Sequence, residues 1–132
     1  FEQIEKLMSY DKDIVGGIYK TENGQNFAVV KDWDQEFYKK HGSFYFLQQE
    51  DCVNHRGLME VDYNGMGFVL IKKGVFEKVT YPWFCQLKKK IGDLEDYCSE
   101  DVAFCHLAKE AGFKIFIDPH MVVGHEKMRI LT

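Results

Sequence analysis

A chain of 132 residues is one domain's worth of sequence, and with 45% hydrophobic and 29% charged residues it can build a core without disulfide or metal staples. Seventeen Lys and Arg against 21 Asp and Glu leave a formal net charge of −4, the wrong sign for tracking phosphates, so nucleic acid is not an expected partner. No apolar run reaches the roughly 18 residues of a membrane span. The 15% aromatic content with only two prolines argues against disorder. The first residues lack the basic and apolar regions of a signal peptide, so a cytoplasmic location is expected.

Phe1, Ile4, Leu7 and Met8 have helical spacing and predict the tail of an amphipathic helix. Asp13 to Tyr19 is β-rich, and its paired Gly16 and Gly17 predict a bulge or a close backbone approach. Glu22-Asn23-Gly24 is a turn signal, with Phe27 to Val30 as the returning strand. Asp34 to Lys40 reads as a short helix closed by Gly42, and Phe44 to Leu47 as a strand, followed by a polar stretch to His55 and Arg56. Leu58 to Tyr63 is a further strand, interrupted by Asn64-Gly65-Met66-Gly67.

Phe68 to Phe76 is expected to form a short helix, Thr80 to Phe84 an aromatic loop, and Lys88 to Glu95 an exposed polar segment. Ser99 to Ala111 carries the clearest helix signals: Ser99 as N-cap, Glu100 and Asp101 in the first turn, and Gly112 just past the end. Val102, Cys105 and Ala108 share one face of it. Lys114 to Ile117 is a strand expected to stop at Asp118-Pro119, and Met121 to Gly124 is a short apolar segment ending at His125. Helices mixed with β-rich segments predict an α/β class protein with a mixed sheet, forming a single domain over 1–132.

Several groups could carry chemistry. Carboxylates at a helix N-terminus meet unpaired N–H groups and the positive end of the dipole, which favours the charged form. Glu100 and Asp101 therefore either cap the helix or accept a proton from a hydroxyl. His125, after an apolar segment, is a candidate metal ligand or an ordinary hydrogen-bonded histidine. Gly65-Met66-Gly67 partly matches a phosphate-cradling loop but lacks the lysine of a P-loop, and serves equally as a bulge. Asp32-Trp33-Asp34 fits the Asp-x-Asp pattern of divalent-ion sites, yet sits where Asp34 caps a helix. Trp83 and Phe84, beside Pro82, offer aromatic surface to a sugar or to the core. Cys52, Cys85, Cys98 and Cys105 have no Cys-x-x-Cys spacing and are expected to be free thiols.

Taken in order, these segments resemble the C-terminal half of a family-2-like GT-A glycosyltransferase, from Asp13-Ile14-Val15-Gly16-Gly17 through Gly65-Met66-Gly67, Tyr81-Pro82-Trp83-Phe84, Ser99-Glu100-Asp101 and Ala111-Gly112-Phe113 to Asp118-Pro119 and Val123-Gly124-His125. The resemblance implies a partial GT-A fold that transfers a sugar from a nucleotide sugar to a glycan or other hydroxyl acceptor. In that scheme Asp101 is the catalytic base with Glu100 beside it, Gly65, Met66 and Gly67 lie at the donor diphosphate, and Trp83 and Phe84 contact sugar or acceptor. His125 becomes a ligand of a divalent metal, Mn or Mg, in a full-length parent; no metal is expected in this chain alone. The donor-binding half, which should precede Phe1, has no room here, so the resemblance further implies a truncated enzyme, inactive by itself and open to self-association through an exposed sheet edge. The alternative is a non-enzymatic module that binds a saccharide or a protein on the same scaffold.

Overall fold

Two glycines inside a β-branched run decide how the sheet is assembled. The computed structural model describes residues 2–21, 26–79, 87–91, 94–98 and 100–124. Helix α1 (Glu2–Ser9) leads into strand β1 (Ile14–Ile18), every residue of which is buried. Strands β2 (Val29–Val30), β3 (Met59–Val61), β4 (Tyr63–Asn64) and β5 (Val69–Ile71) follow, interleaved with helices α2 (Gln35–His41) and α3 (Gln49–Val53). Helix α4 (Val75–Lys78), the hairpin β6 (Leu87–Ile91) and β7 (Leu94–Cys98), helix α5 (Glu100–Glu110) and strand β8 (Ile115–Val122) complete the order.

The main sheet runs β3-β8-β1-β5, with β8 parallel to β1 and the two outer pairings antiparallel. Its central strand β1 is buried on both faces. Ile14 and Ile18 of β1 join Ile115, Ile117, Met59 and Val61 in a cluster with Phe104, Cys105 and Ala108 of α5 and Val75 of α4. Val15 points the other way, into a smaller cluster with Leu7 of α1 and Met121. Alternation along one strand thus feeds two cores, and burying each Ile or Val contributes about 1.5–3 kcal/mol. Gly16 is where the sheet comes closest to its neighbours: a Cβ there would lie 2.6 Å from Asn64 Nδ2 and 2.7 Å from the Phe68 carbonyl.

The chain follows its local signals where they are strongest. Asp34 caps α2 by accepting from the N–H groups of Glu36 and Phe37 at 3.0 and 3.1 Å, and Gly42 ends the helix at φ 77°. Gly112, at φ 96°, closes α5: its N–H reaches the Lys109 carbonyl while that of Phe113 reaches Ala108. Lys20 and Phe27 form an antiparallel bridge, so the chain returns as expected, but β2 then leaves to pair with β4.

Elsewhere tertiary pairing overrides the sequence reading. The segment 68–76 is not one helix: Val69 to Ile71 pair with Gly16 to Ile14, and helix begins only at Val75, after Gly74 at φ 103°. Phe44 to Leu47 forms no strand, although Leu47 exchanges backbone bonds with Phe27 and Val29. The polar stretch after it contains α3, whose Asp51 carboxylate accepts from the Gln48 N–H at 2.8 Å. Residues 88–95 belong largely to the β6–β7 hairpin. Cys98 ends β7, and Cys105 lies in α5.

Asp118-Pro119 does not stop β8. The register moves from Gly16↔Ile117 to Ile18↔Val122, so Gly17 alone faces residues 118–121. Proline, lacking an N–H, is tolerated in such a bulge. The same bulge aims the Asp118 carboxylate, buried at 3% residue exposure, at Tyr10 Oη (2.6 Å), the His120 N–H (3.0 Å) and Lys6 Nζ (3.3 Å), pinning α1 to the sheet. Burial pushes the Asp118 carboxyl up, but the three donors outweigh it and hold the group below its ordinary value.

A carboxyl lowered on folding contributes stability above its unfolded pKa of about 3.9 and loses it as pH falls through the folded value. Asp118→Asn should therefore lower the melting temperature at pH 7. The gap from the parent chain should narrow steadily toward pH 3, and thermal melts across that range check it; a constant gap means the carboxylate charge contributes nothing.

Candidate functional site

Strand β1 ends at Ile18, and Tyr19 follows at its carboxyl end, where ligands of α/β sheets gather. Its ring lies on the turn after β4. The Gly65 N–H donates to the Ala28 carbonyl at 2.8 Å, which fixes that turn to β2's approach. A Cβ at Gly65 would lie 2.8 Å from Tyr19 Cζ, and one at Gly67 2.6 Å from Tyr19 Cε1. Both glycines are needed because the phenol ring occupies the side-chain space. Met66, between them, packs against the larger core cluster.

Helix α5 approaches the same turn. Cys105 donates from Sγ to the Asn64 carbonyl at 3.7 Å, and Asp101 stands one turn nearer the helix N-terminus. Asp101 is a half-buried residue, whereas Glu100 beside it is exposed. Burial pushes the Tyr19 hydroxyl above its ordinary value, and the Asp101 charge raises it further. Tyr63 is also raised, first by burial and then by the charges of Tyr19 and Asp101. Both phenols remain protonated donors at neutral pH. Asp101, Tyr19, Tyr63 and the Gly65–Gly67 turn thus form one corner. Strand β8 reaches it too, since the Val123 N–H donates to the Ile18 carbonyl at 2.8 Å and delivers Gly124 to the end of the sheet where Tyr19 sits.

His125, Trp83, Phe84, Cys85, the N-cap Ser99 and the turn 22–24 lie outside the described residues. The corner brings Asp101 together with Gly65, Met66 and Gly67, and leaves Glu100 facing solvent. Asp32 and Asp34 are elsewhere, with Asp34 engaged as a helix cap. Among the described residues, no three His, Cys, Asp or Glu side chains converge as a metal site. Cys52 and Cys105 are free, buried thiols, and burial raises both, Cys105 to about 12, which leaves neither a nucleophile at neutral pH. No helix among the described residues is long and apolar enough to cross a membrane.

Sequence reasoning missed Tyr19 and Tyr63. The available signal for Tyr19 was its place directly after the Gly-Gly strand. It also missed an aromatic surface built without Trp83: Trp33 meets Phe44 edge-on at 4.7 Å and Tyr63 at 5.8 Å, and Tyr38 meets Phe44 at 4.8 Å.

No family model matches the chain, and no curated protein does. Among solved structures, the crystal structure of A197 from STIV is similar over 89% of this chain and 44% of that one, at 22% identity and a TM-score of 0.49. The resemblance to a GT-A glycosyltransferase is therefore corrected: neither a family model nor a curated protein supports it. The physical reason lies in the motifs themselves. Glu100-Asp101 complements a helix dipole, Ala111-Gly112-Phe113 is a helix C-cap, Asp118-Pro119 is a bulge that anchors α1, and Gly65 and Gly67 seat Tyr19. Each is accounted for by this fold, which is a mixed four-stranded α/β sheet with helices on both faces.

Proposed function

We propose that the corner formed by Asp101, Tyr19, Tyr63 and the Gly65–Gly67 turn binds a saccharide. The observation that carries this reading is the Tyr19 ring seated on the Gly65–Gly67 turn, where helix α5, with the half-buried Asp101 in its first turn, meets β4 through the Cys105–Asn64 hydrogen bond. A sugar presents hydroxyls that both donate and accept. Asp101 supplies an acceptor, the Tyr63 hydroxyl supplies a donor that does not ionise near neutral pH, and the tyrosine rings offer apolar faces to the C–H side of a pyranose. No charge complement is demanded of the ligand, which suits a neutral polyol better than a phosphate.

The test is titration of the chain with a panel of methyl glycosides, followed through backbone amide shifts. Asp101→Asn should weaken the best ligand roughly tenfold, the cost of replacing a charge-assisted hydrogen bond. Glu100→Gln, on an exposed side chain, should change affinity less than about twofold. Equal binding by the Asp101→Asn chain refutes the reading. Release of a nucleoside diphosphate when a nucleotide sugar is added with the bound glycoside would move the corner from binding to transfer.

A further inference from the structure

A cleft of ≈ 410 Å³ opens between α2 and α3 and shares no lining residue with the Asp101 corner. Its walls carry the rings of Phe37 and Tyr45, packed edge-on at 5.8 Å, and its rim carries Asp32, Asp34 and Asp51 against one cation, Lys31. From these residues we propose that the cleft is a binding site for an organic cation, an ammonium or guanidinium group borne on an apolar body.

The carboxylates are partly committed, and what is left faces the same need. Asp34 spends Oδ1 on the α2 cap and Asp51 spends Oδ2 on Tyr45 Oη (2.8 Å) and the Gln48 N–H. Asp34 Oδ2, Asp51 Oδ1 and the whole Asp32 carboxylate accept no bond among the described residues. His55 adds no carboxylate partner, since its Nε2 donates to the Leu58 carbonyl at 3.1 Å. Three carboxylates and one lysine leave the cleft formally at −2 before His55 is counted.

The shape of that charge selects the ligand. No three acidic or histidine side chains among the described residues converge on a point, so a bare metal ion gains no coordination shell here. Negative charge around the exposed Tyr45 ring, which is backed by Phe37 stacked on His41 at 4.3 Å, matches a cation whose charge is itself spread or carried on a hydrocarbon, through cation–π and ion-pair contacts together. Tyr45 is 42% exposed, so its ring is open to a ligand, and its bond to Asp51 holds it in place and keeps its hydroxyl protonated.

The experiment compares phenethylammonium with 2-phenylethanol, which share a body and differ in charge, by backbone amide titration of the chain in about 50 mM salt, where exposed charges are only partly screened. The ammonium should shift residues 31–59 saturably and bind roughly fivefold tighter than the alcohol or better. Asp32→Asn combined with Asp34→Asn should cut that preference below about twofold while α2 stays folded, because asparagine also caps helices. Phe37→Leu should weaken the ammonium by a factor of about three or more. Equal affinity for the two probes, shifts that avoid this segment, or a preference untouched by the double variant would each overturn the proposal.

Discussion

Gly16→Ala should be among the most damaging single changes available to this chain, costing about 3 kcal/mol or more. The added methyl meets Asn64 Nδ2 at 2.6 Å and, more seriously, the Phe68 carbonyl at 2.7 Å, which is backbone and cannot swing aside. Asn64 has no slack either: it is 1% exposed and its Nδ2 donates to the Gly17 carbonyl at 3.2 Å. Relief requires β5 to separate from β1, and β5 is an edge strand with no other partner in its sheet. Gly65→Ala is the informative contrast. Its methyl meets the hydroxyl end of Tyr19, a side chain that can rotate away, so the cost should be nearer 1 kcal/mol while saccharide binding suffers more than stability. Urea unfolding of both variants checks the ranking. A Gly16→Ala chain as stable as the Gly65→Ala chain would mean that the close approach of β1, β4 and β5 is not rigid.

Phe104→Ala should lose about 3–5 kcal/mol, the usual cost of emptying a fully buried aromatic site. Phe104 is 0% exposed and its ring lies 5.5 Å from that of Phe76, joining α5 to α4 over the main cluster. The consequence reaches the corner. Asp101 is placed by α5, and α5 is held on the main cluster by Phe104, Cys105 and Ala108. The truncated chain should therefore bind glycosides more weakly even at temperatures where it remains folded. Phe104→Leu, which keeps most of the volume, should lose less than about 1.5 kcal/mol and retain binding. Chemical denaturation and the glycoside titration, run on the same samples, separate the two effects. If Phe104→Ala leaves binding intact while losing stability, the corner is positioned by something other than α5 packing.

The motif order that resembled a glycosyltransferase shows how far short signals reach. Carboxylates at a helix start, glycine at a helix end and Asp-Pro in a strand are each selected by backbone physics common to many folds. Their sequence order therefore carried less information than it appeared to. What they did describe well was local geometry: Asp34 and Gly42 bound α2, Gly112 closes α5, and the glycine pair of β1 sits in close contact with Asn64, Phe68, Val69 and Met121.

The sequence by itself determined the elements whose signals are local: α1, β1, α2, α5 and the start of β8 follow from spacing, caps and β-branching within each segment. Its expectation of four free thiols is met at Cys52 and Cys105. Only the tertiary structure decided which strand Val69 to Ile71 would join, that β8 would run through Asp118-Pro119, and that Tyr19 would lie on Gly65 and Gly67. Those outcomes depend on partners distant in the chain, such as Ile14 for Ile71 and Tyr10 for Asp118. Hydrogen-bond pairing and burial are settled between segments, and a single segment carries its own propensity but not the identity of the neighbour that satisfies it.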